Sequence, residues 1–209
     1  CGFWTVELQK KSAGFRNFYA ADLTQKALEL TRKRLELNSL NANLSIQDAQ
    51  KLNYPSGFFE HVNCQGVIHH IPDISAAIKE IARVLKKGGT ACISVYCKNL
   101  LIKNWYYFSW VGKALYKLGF RLRGRGREGI LLAETPEELV RMFDGKDNPL
   151  GRAYTRDEIF RLIEPYFIIE KKFLGYFPKR VLPFKLSVLL HKFLSKNFGF
   201  LLYLNLRRQ

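Results

Sequence analysis

Three positions in the first third of the chain carry residue types that can hold a nucleotide-like ligand. Gly2 leads into a helix-like stretch at 4–11, and Asp22 follows 20 residues later at the end of a short apolar run. Asp48, with Ala49, closes the next such run. Glycine lets backbone approach a ligand closely, and a carboxylate at a strand end accepts hydrogen bonds from two ribose hydroxyls. Asp48 could likewise accept from an adenine amino group. Gln65 closes a third run, and the pair His69-His70 follows it directly, offering an imidazole that could take a proton. Each carboxylate alone reads equally well as a turn residue leading into a helix. Together, Asp22, Asp48 and Gln65 at successive strand ends point to a ligand site.

Other chemistries find less support. Cys1, Cys64, Cys92 and Cys97 show no CxxC spacing, which favours a reducing compartment over a disulfide framework. Adjacent histidines rarely share a metal, and these cysteines lack zinc-ligand spacing, so no metal site is expected. There is no G-x-S-x-G elbow and no P-loop lysine.

The elements that must position these residues alternate through the first half. Strands are predicted at 17–21, at 44–48, at 61–65 and at 90–95. Thr24 caps a helix reaching about Asn38, with Leu28, Thr31 and Leu35 on one face. Asp73 caps another, through Ala77, Ile78, Ile81 and Leu85, expected to stop at Gly88-Gly89. Strands separated by such helices imply right-handed crossovers and a mostly parallel sheet. In the second half, 104–119 reads as an aromatic-rich helix and 121–129 as a loop. Capping boxes begin at Thr135 and Thr155. A strand at 166–174, a helix at 183–195 and a final strand at 200–206 follow. The cluster Trp105, Tyr106, Tyr107, Phe108 and Trp110 is either helix core or a lid over an apolar substrate; five large rings in six positions cannot all face inward.

The chain has 209 residues, with 34 Lys+Arg against 18 Asp+Glu, a formal charge of +16. At 47% hydrophobic and 25% charged it is an ordinary globular composition, which excludes disordered and collagen-like classes. No stretch is long and apolar enough to read as a membrane-spanning helix. Residues 1–99 hold 13 basic and 8 acidic side chains, while 100–209 hold 21 and 10, so the excess lies in the second half. The tract 113–127 has six basic residues and no acid, and 171–209 has nine and none. Such a surface is either a solvated basic face or one that meets nucleic acid, an anionic membrane or an acidic substrate.

Several stretches resemble one family. Cys1-Gly2 followed by FWTVEL, AADLTQKALELTRKRLELN (20–38), QDAQKLNYPSGFFEHVNCQGVIHHIPD (47–73) and RVLKKGG (83–89) are similar to class I S-adenosylmethionine-dependent methyltransferases. The resemblance is to the small-molecule group that includes quinone-biosynthesis enzymes. It covers about half the chain clearly; KDNPLGRAYTRDEI (146–159) and GFLLYLNLRR (199–208) match that group's cap and closing strands less specifically. Glu60 stands where the family usually has aspartate. The family's first strand and leading glycines are absent, so the chain is expected to begin inside the glycine loop.

The resemblance implies an α/β fold: a Rossmann-like, mostly parallel sheet with flanking helices, its last strand antiparallel and its first missing. It implies a cofactor-binding core at 1–98, a variable helical cap at 99–160, and C-terminal strands and helix at 161–209 completing the sheet. The cofactor is S-adenosylmethionine, held by Gly2, Asp22, Leu23, Asp48, Ala49 and Gln65, the last through its backbone. The reaction is methyl transfer to a small-molecule acceptor, with His70 as the candidate general base. The acceptor is expected to be apolar or membrane-associated, and the protein cytoplasmic, with peripheral contact to an anionic membrane through its basic tail. Two other readings are methylation of RNA or another polyanion, and a non-catalytic Rossmann-like binding module. No RNA-binding module and no N-P-P-Y-type motif speaks for the former, since QGVIHH stands where that motif would lie. A missing central strand leaves two strand edges without ladder partners, so the 209-residue polypeptide is expected to be unstable alone and to bind cofactor poorly.

Overall fold

Apolar residues recurring at i, i+3 and i+4 make the helices, and alternating ones make the strands, so the element order follows the patterning closely. The computed structural model describes residues 1–11, 17–120, 129–144, 150–177 and 185–209. Its elements run α1 (Phe3–Lys11), β1 (Tyr19–Asp22), α2 (Gln25–Glu36), β2 (Asn43–Ile46), β3 (Phe59–Gln65), α3 (Ile74–Val84), β4 (Leu85–Cys97), α4 (Leu100–Lys103) and α5 (Trp105–Lys117). There follow α6 (Pro136–Asp144), β5 (Ala153–Tyr154), α7 (Arg156–Ile163), β6 (Phe167–Gly175), α8 (Val188–Phe198) and β7 (Leu201–Arg208). Most of the loop expected at 121–129 and the start of the helix expected at 183 lie outside the described residues. The caps are as expected. Thr24 accepts from the Ala27 amide at 3.3 Å, Asp73 from Ala76 at 3.0 Å, and Thr155 closes a capping box with Glu158.

The strands form an α/β fold with a mixed sheet in two pieces. β1 pairs with β2 in parallel, and a second sheet has the order β3-β4-β7-β6, with β5 beside the end of β4. β3 and β4 are parallel; β7 is antiparallel to both β4 and β6. One face of the larger sheet carries the main core. Ala91, Ile93 and Val95 of β4 and Leu202, Leu204 and Leu206 of β7 meet Ile74, Ala77, Ile78 and Ile81 of α3 and Ile159 and Ile163 of α7. Each such large side chain contributes roughly 1.5–3 kcal/mol on burial. A second cluster gathers Tyr96, Ile102, Trp105, Leu139, Val140 and Phe143 under the helices after β4.

Two expectations are corrected. α3 ends at Val84, not at the glycine pair, because fully buried Leu85 turns extended and pairs with Phe59. Gly88 and Gly89 instead form an irregularity within β4, Gly88 at φ +73°; a Cβ on Gly89 would lie 2.8 Å from the Lys86 carbonyl oxygen. β2 likewise ends at Ile46, and Asp48 sits in the following turn, bridged to Lys51.

Among the described residues neither β1 nor β3 has a ladder partner on its second edge. Val62 and Cys64 of β3 are only half-buried, whereas Ile93 and Val95 in adjacent β4 are fully buried. Aromatic rings bridge the two sheets at one end. Tyr19 of β1 meets Phe58 and Phe59 with centroids 5.4 Å apart in each case, and the Tyr54 ring lies 4.9 Å from Phe59. The Tyr54 hydroxyl also bonds Ser45 of β2 at 2.6 Å. Amides on the open edges of β1 and β3 are therefore expected to exchange within the fast, locally opening class while those of β4 and β7 are protected. The 209-residue polypeptide is expected to melt below about 45 °C. Uniform slow exchange along β3, or a melting midpoint well above that range, counts against this account.

Candidate functional site

The C-terminal ends of β1 and β2 lie side by side, with the Gln47 amide donating to the Asp22 carbonyl at 3.0 Å. Asp22 closes its strand in an Asx turn: Oδ1 accepts from the Thr24 amide at 3.0 Å and from the Thr24 hydroxyl at 3.1 Å. Its Oδ2 makes no hydrogen bond to the described residues, so one carboxylate oxygen remains to accept from a ligand. Leu23 beside it is 67% exposed, an apolar side chain at a turn that nothing in the described fold covers. Gly2 approaches from the other direction. At φ +70° its absent Cβ would stand 2.9 Å from Thr31 Cγ2, so only glycine lets the start of α1 lie against α2.

Asp48 is more committed. Its Oδ1 accepts from the Gln50 amide at 2.8 Å, and the Gln50 side-chain amide reaches both oxygens. Ala49 is half-buried against the main core. The turn carrying them is stapled to α3: the Arg83 guanidinium donates to the Leu52 and Tyr54 carbonyls and to both Glu80 oxygens, each at 2.7–2.8 Å. Glu80 in turn accepts from the Leu52 amide at 2.8 Å.

Gln65 ends β3, on the other side of the open interval from Asp22. Its side chain belongs to a polar row on the sheet face away from the core, donating to Asn63 at 2.7 Å and to Cys92 sulfur at 3.2 Å. What remains for a ligand there is backbone. Gly66, at φ +72° with nothing within 4 Å of where a Cβ would be, turns the chain while Ser94 Oγ accepts its amide at 3.0 Å. His69 is buried, its ring 4.5 Å from Tyr96. His70 is half-buried and bonds the Leu150 carbonyl through Nδ1 at 2.7 Å, which makes Nδ1 the protonated nitrogen and Nε2 the basic one.

The structure thus places Asp22, Leu23 and Asp48 at the C-terminal end of the smaller sheet and Gln65 and His70 at and just past the C-terminal end of β3, while Gly2 packs against the middle of α2. It also shows positioning groups that the sequence did not signal: Ser94, the Glu80–Arg83 pair, and the 150–152 segment, whose Arg152 amide donates to the His69 carbonyl at 3.1 Å. These partners lie 28 to 83 residues from what they hold, and only backbone topology makes them neighbours. Burial pushes the Cys64 thiol up to about 12 and raises those of Cys92 and Cys97, which disfavours their thiolates as nucleophiles. Two cavities of about 500 Å³ lie elsewhere. One is lined by Lys98, Arg152, Tyr154 and Glu158, the other by Tyr106, Tyr107, Trp110 and Lys113.

The hydrogen bonds from Arg83 hold the Glu80 carboxyl below its ordinary range. A depressed carboxyl stabilises the fold above its unfolded value, about 4.3, and loses that contribution as pH falls through the folded value. Arg83→Met is expected to cost about 2 kcal/mol at neutral pH and to flatten the stability loss between about pH 5 and 3 in urea titrations. Parallel pH profiles for the two proteins would show that the pair does not staple the turn.

Residues 1–93 match the family described as a methyltransferase domain. The chain is 25% identical over 194 residues to 2-methyl-6-phytyl-1,4-hydroquinone methyltransferase 1 of Oryza sativa subsp. japonica, covering 83% of this chain and 57% of that protein. It therefore spans little more than half of the rice protein's length. It is 25% identical to the demethylmenaquinone methyltransferase of Geobacillus stearothermophilus, covering 83% of this chain and 74% of that protein. The corresponding Staphylococcus aureus enzyme is 28% identical, with 74% and 67% covered. Among solved structures, a SAM-dependent methyltransferase of Methanosarcina mazei superposes with a TM-score of 0.63 at 18% identity, covering 98% of this chain and 86% of that one. Residues 1–93 are thus similar to the methyltransferase-domain family, and 98% of the chain shares the fold of the Methanosarcina mazei structure.

Proposed function

We propose that this chain transfers a methyl group from S-adenosylmethionine to a small apolar acceptor of the quinol type, presented at an anionic membrane surface. The observation that carries the reading is the uncommitted Asp22 Oδ2 beside exposed Leu23 at the end of β1, within the matched domain. The residues suit the cofactor's chemistry: a carboxylate acceptor for ribose hydroxyls, an apolar neighbour for adenine, and open ground at Gly66. Asp22 binds the ribose, Leu23 lies against the adenine, and Asp48 and Ala49 bound its far side. Gly2 and the backbone at Gln65 flank the methionine part. When bound, S-adenosylmethionine supplies a methyl carbon on sulfonium, and the electron pair of the broken C–S bond stays with sulfur.

With an activated leaving group already present, the protein's contribution is alignment, plus removal of a proton where the acceptor arrives protonated. His70 performs the second task. The Leu150 carbonyl holds its Nδ1–H and so fixes the tautomer in which Nε2 carries the lone pair that takes the proton. Residues 1–98 form the cofactor core, 99–160 the cap that selects the acceptor, and 161–209 complete the sheet. An apolar acceptor is supported by the outward rings of α5. Only Trp105 turns inward, donating to the Ala133 carbonyl at 2.9 Å, while Tyr106, Tyr107 and Trp110 are about 70% exposed. The quinol class is supported by what the rice relative's name says it methylates.

Saturation-transfer NMR, which detects weak ligands, is expected to show S-adenosylhomocysteine binding and no signal from NAD. Asp22→Ala is expected to weaken it roughly 10- to 100-fold. Equal response to both ligands would refute the cofactor assignment. With tritiated methyl donor and a prenylated hydroquinone, label is expected in the organic extract, and His70→Ala is expected to lower kcat at least about 100-fold. Full turnover by that variant would remove the base.

A further inference from the structure

α8 is amphipathic in the wrong sense for a helix packed on a sheet. The side that faces the end of β6 is held by polar groups: His191 Nε2 donates to the Phe177 carbonyl at 3.0 Å, and Ser195 Oγ accepts from the Phe177 amide at 3.3 Å. No residue of the helix is buried. Leu189, Lys192, Phe193 and Lys196 stand at i, i+3, i+4 and i+7, one continuous outward face, with Leu189 81% and Phe193 58% exposed. Val188 adds a further 70%-exposed side chain at the first turn, and Lys185 precedes it. Exposed apolar residues also lie next to the end of the helix. Asn99 Nδ2 donates to the Phe198 carbonyl at 3.1 Å, which seats the start of α4, with exposed Leu100 and Leu101, against the end of α8.

We infer that α8 lies flat in the headgroup region of an anionic bilayer, with Leu189 and Phe193 inserted and Lys192 and Lys196 reaching lipid phosphates. This rests on the reading of a membrane-presented acceptor and specifies the surface that does the presenting. Lysines flanking inserted apolar residues keep their ammonium groups at the interface while their methylene stems lie along the apolar surface. Charge selects the occupant. Lys192 and Lys196 stand on this face with Lys185 just before it, and α8 contains no Asp or Glu, so a second copy docked face to face would set lysine against lysine. A polyanionic nucleic acid would meet the lysines and leave Leu189 and Phe193 unpaired. Only a surface that is both negative and apolar below satisfies the whole face.

Sedimentation of the full chain with phosphatidylglycerol-containing vesicles tests this, with pure phosphatidylcholine vesicles as reference. Binding is expected to the former only, and to fall with salt. Leu189→Ser with Phe193→Ser is expected to lower partitioning at least about tenfold, and Lys192→Gln and Lys196→Gln about fivefold each. All four positions are exposed, so melting temperature and S-adenosylhomocysteine binding stay unchanged. Parent-like partitioning of the variants overturns the role of α8 while leaving membrane presentation to another surface. Absence of vesicle binding by the parent, with S-adenosylhomocysteine binding intact, overturns both the inference and the membrane reading but not the methyl-transfer one. Self-association, or RNA binding, that these variants abolish without any vesicle binding overturns the inference in favour of that partner.

Discussion

β4 is the strand on which the rest of the molecule is built, because among the described residues it alone of the parallel strands has ladder partners on both edges. Over its length it pairs with β3, β5 and β7, and its alternate residues Ala91, Ile93 and Val95 fill the interface with α3 and α7. Backbone hydrogen bonds and apolar burial act on the same residues there, so neither set forms without the other. The second cluster depends on it too, since Tyr96 and Ala153 enter that cluster from the β4–β5 end.

The half that would hold the cofactor has no such support. β1 and β2 are four residues each and, among the described residues, pair only with one another. Their attachment to the larger sheet runs through side chains: the ring contacts of Tyr19 with Phe58 and Phe59, the Tyr54–Ser45 bond, and the Arg83–Glu80 staple beneath the Asp48 turn. Rings and charged hydrogen bonds tolerate displacement better than a ladder does, so the geometry between Asp22 and Gly66 is the least constrained in the site.

The charge of the chain divides along similar lines. The cofactor half presents carboxylates at strand ends, whereas the later helices and strands carry most of the basic excess. Lys171 and Lys172 follow the same pattern on β6, with Lys172 over the Phe160 ring at 4.4 Å. Basic and exposed apolar residues therefore coincide on α8, which packs past the end of β6 at the same end of the sheet where β4 closes.

Much of the fold was legible in local sequence because local chemistry decides it. Thr24, Asp73 and Thr155 cap helices wherever an apolar periodicity follows them, and Asp22 ends a strand by closing an Asx turn on its own next residues. Asp22 and Gln65 could be read as strand ends for the same reason, whereas β2 stops at Ile46 and leaves Asp48 to the turn after it. The end of α3 could not. The glycine pair is a strong local stop, but pairing of Leu85 with Phe59 and its complete burial ended the helix four residues sooner. Nor could the outward direction of Leu189 and Phe193, since helical periodicity gives a face but not its orientation. What the sequence determined by itself was the identity of the elements, their caps and the types of the candidate ligand groups, all set by interactions within a few residues. Only the tertiary structure decided that Gln65 is occupied by Asn63 and Cys92 and that Leu150 holds His70. Those outcomes depend on contacts between distant segments, whose energies exist only once the chain has brought them together.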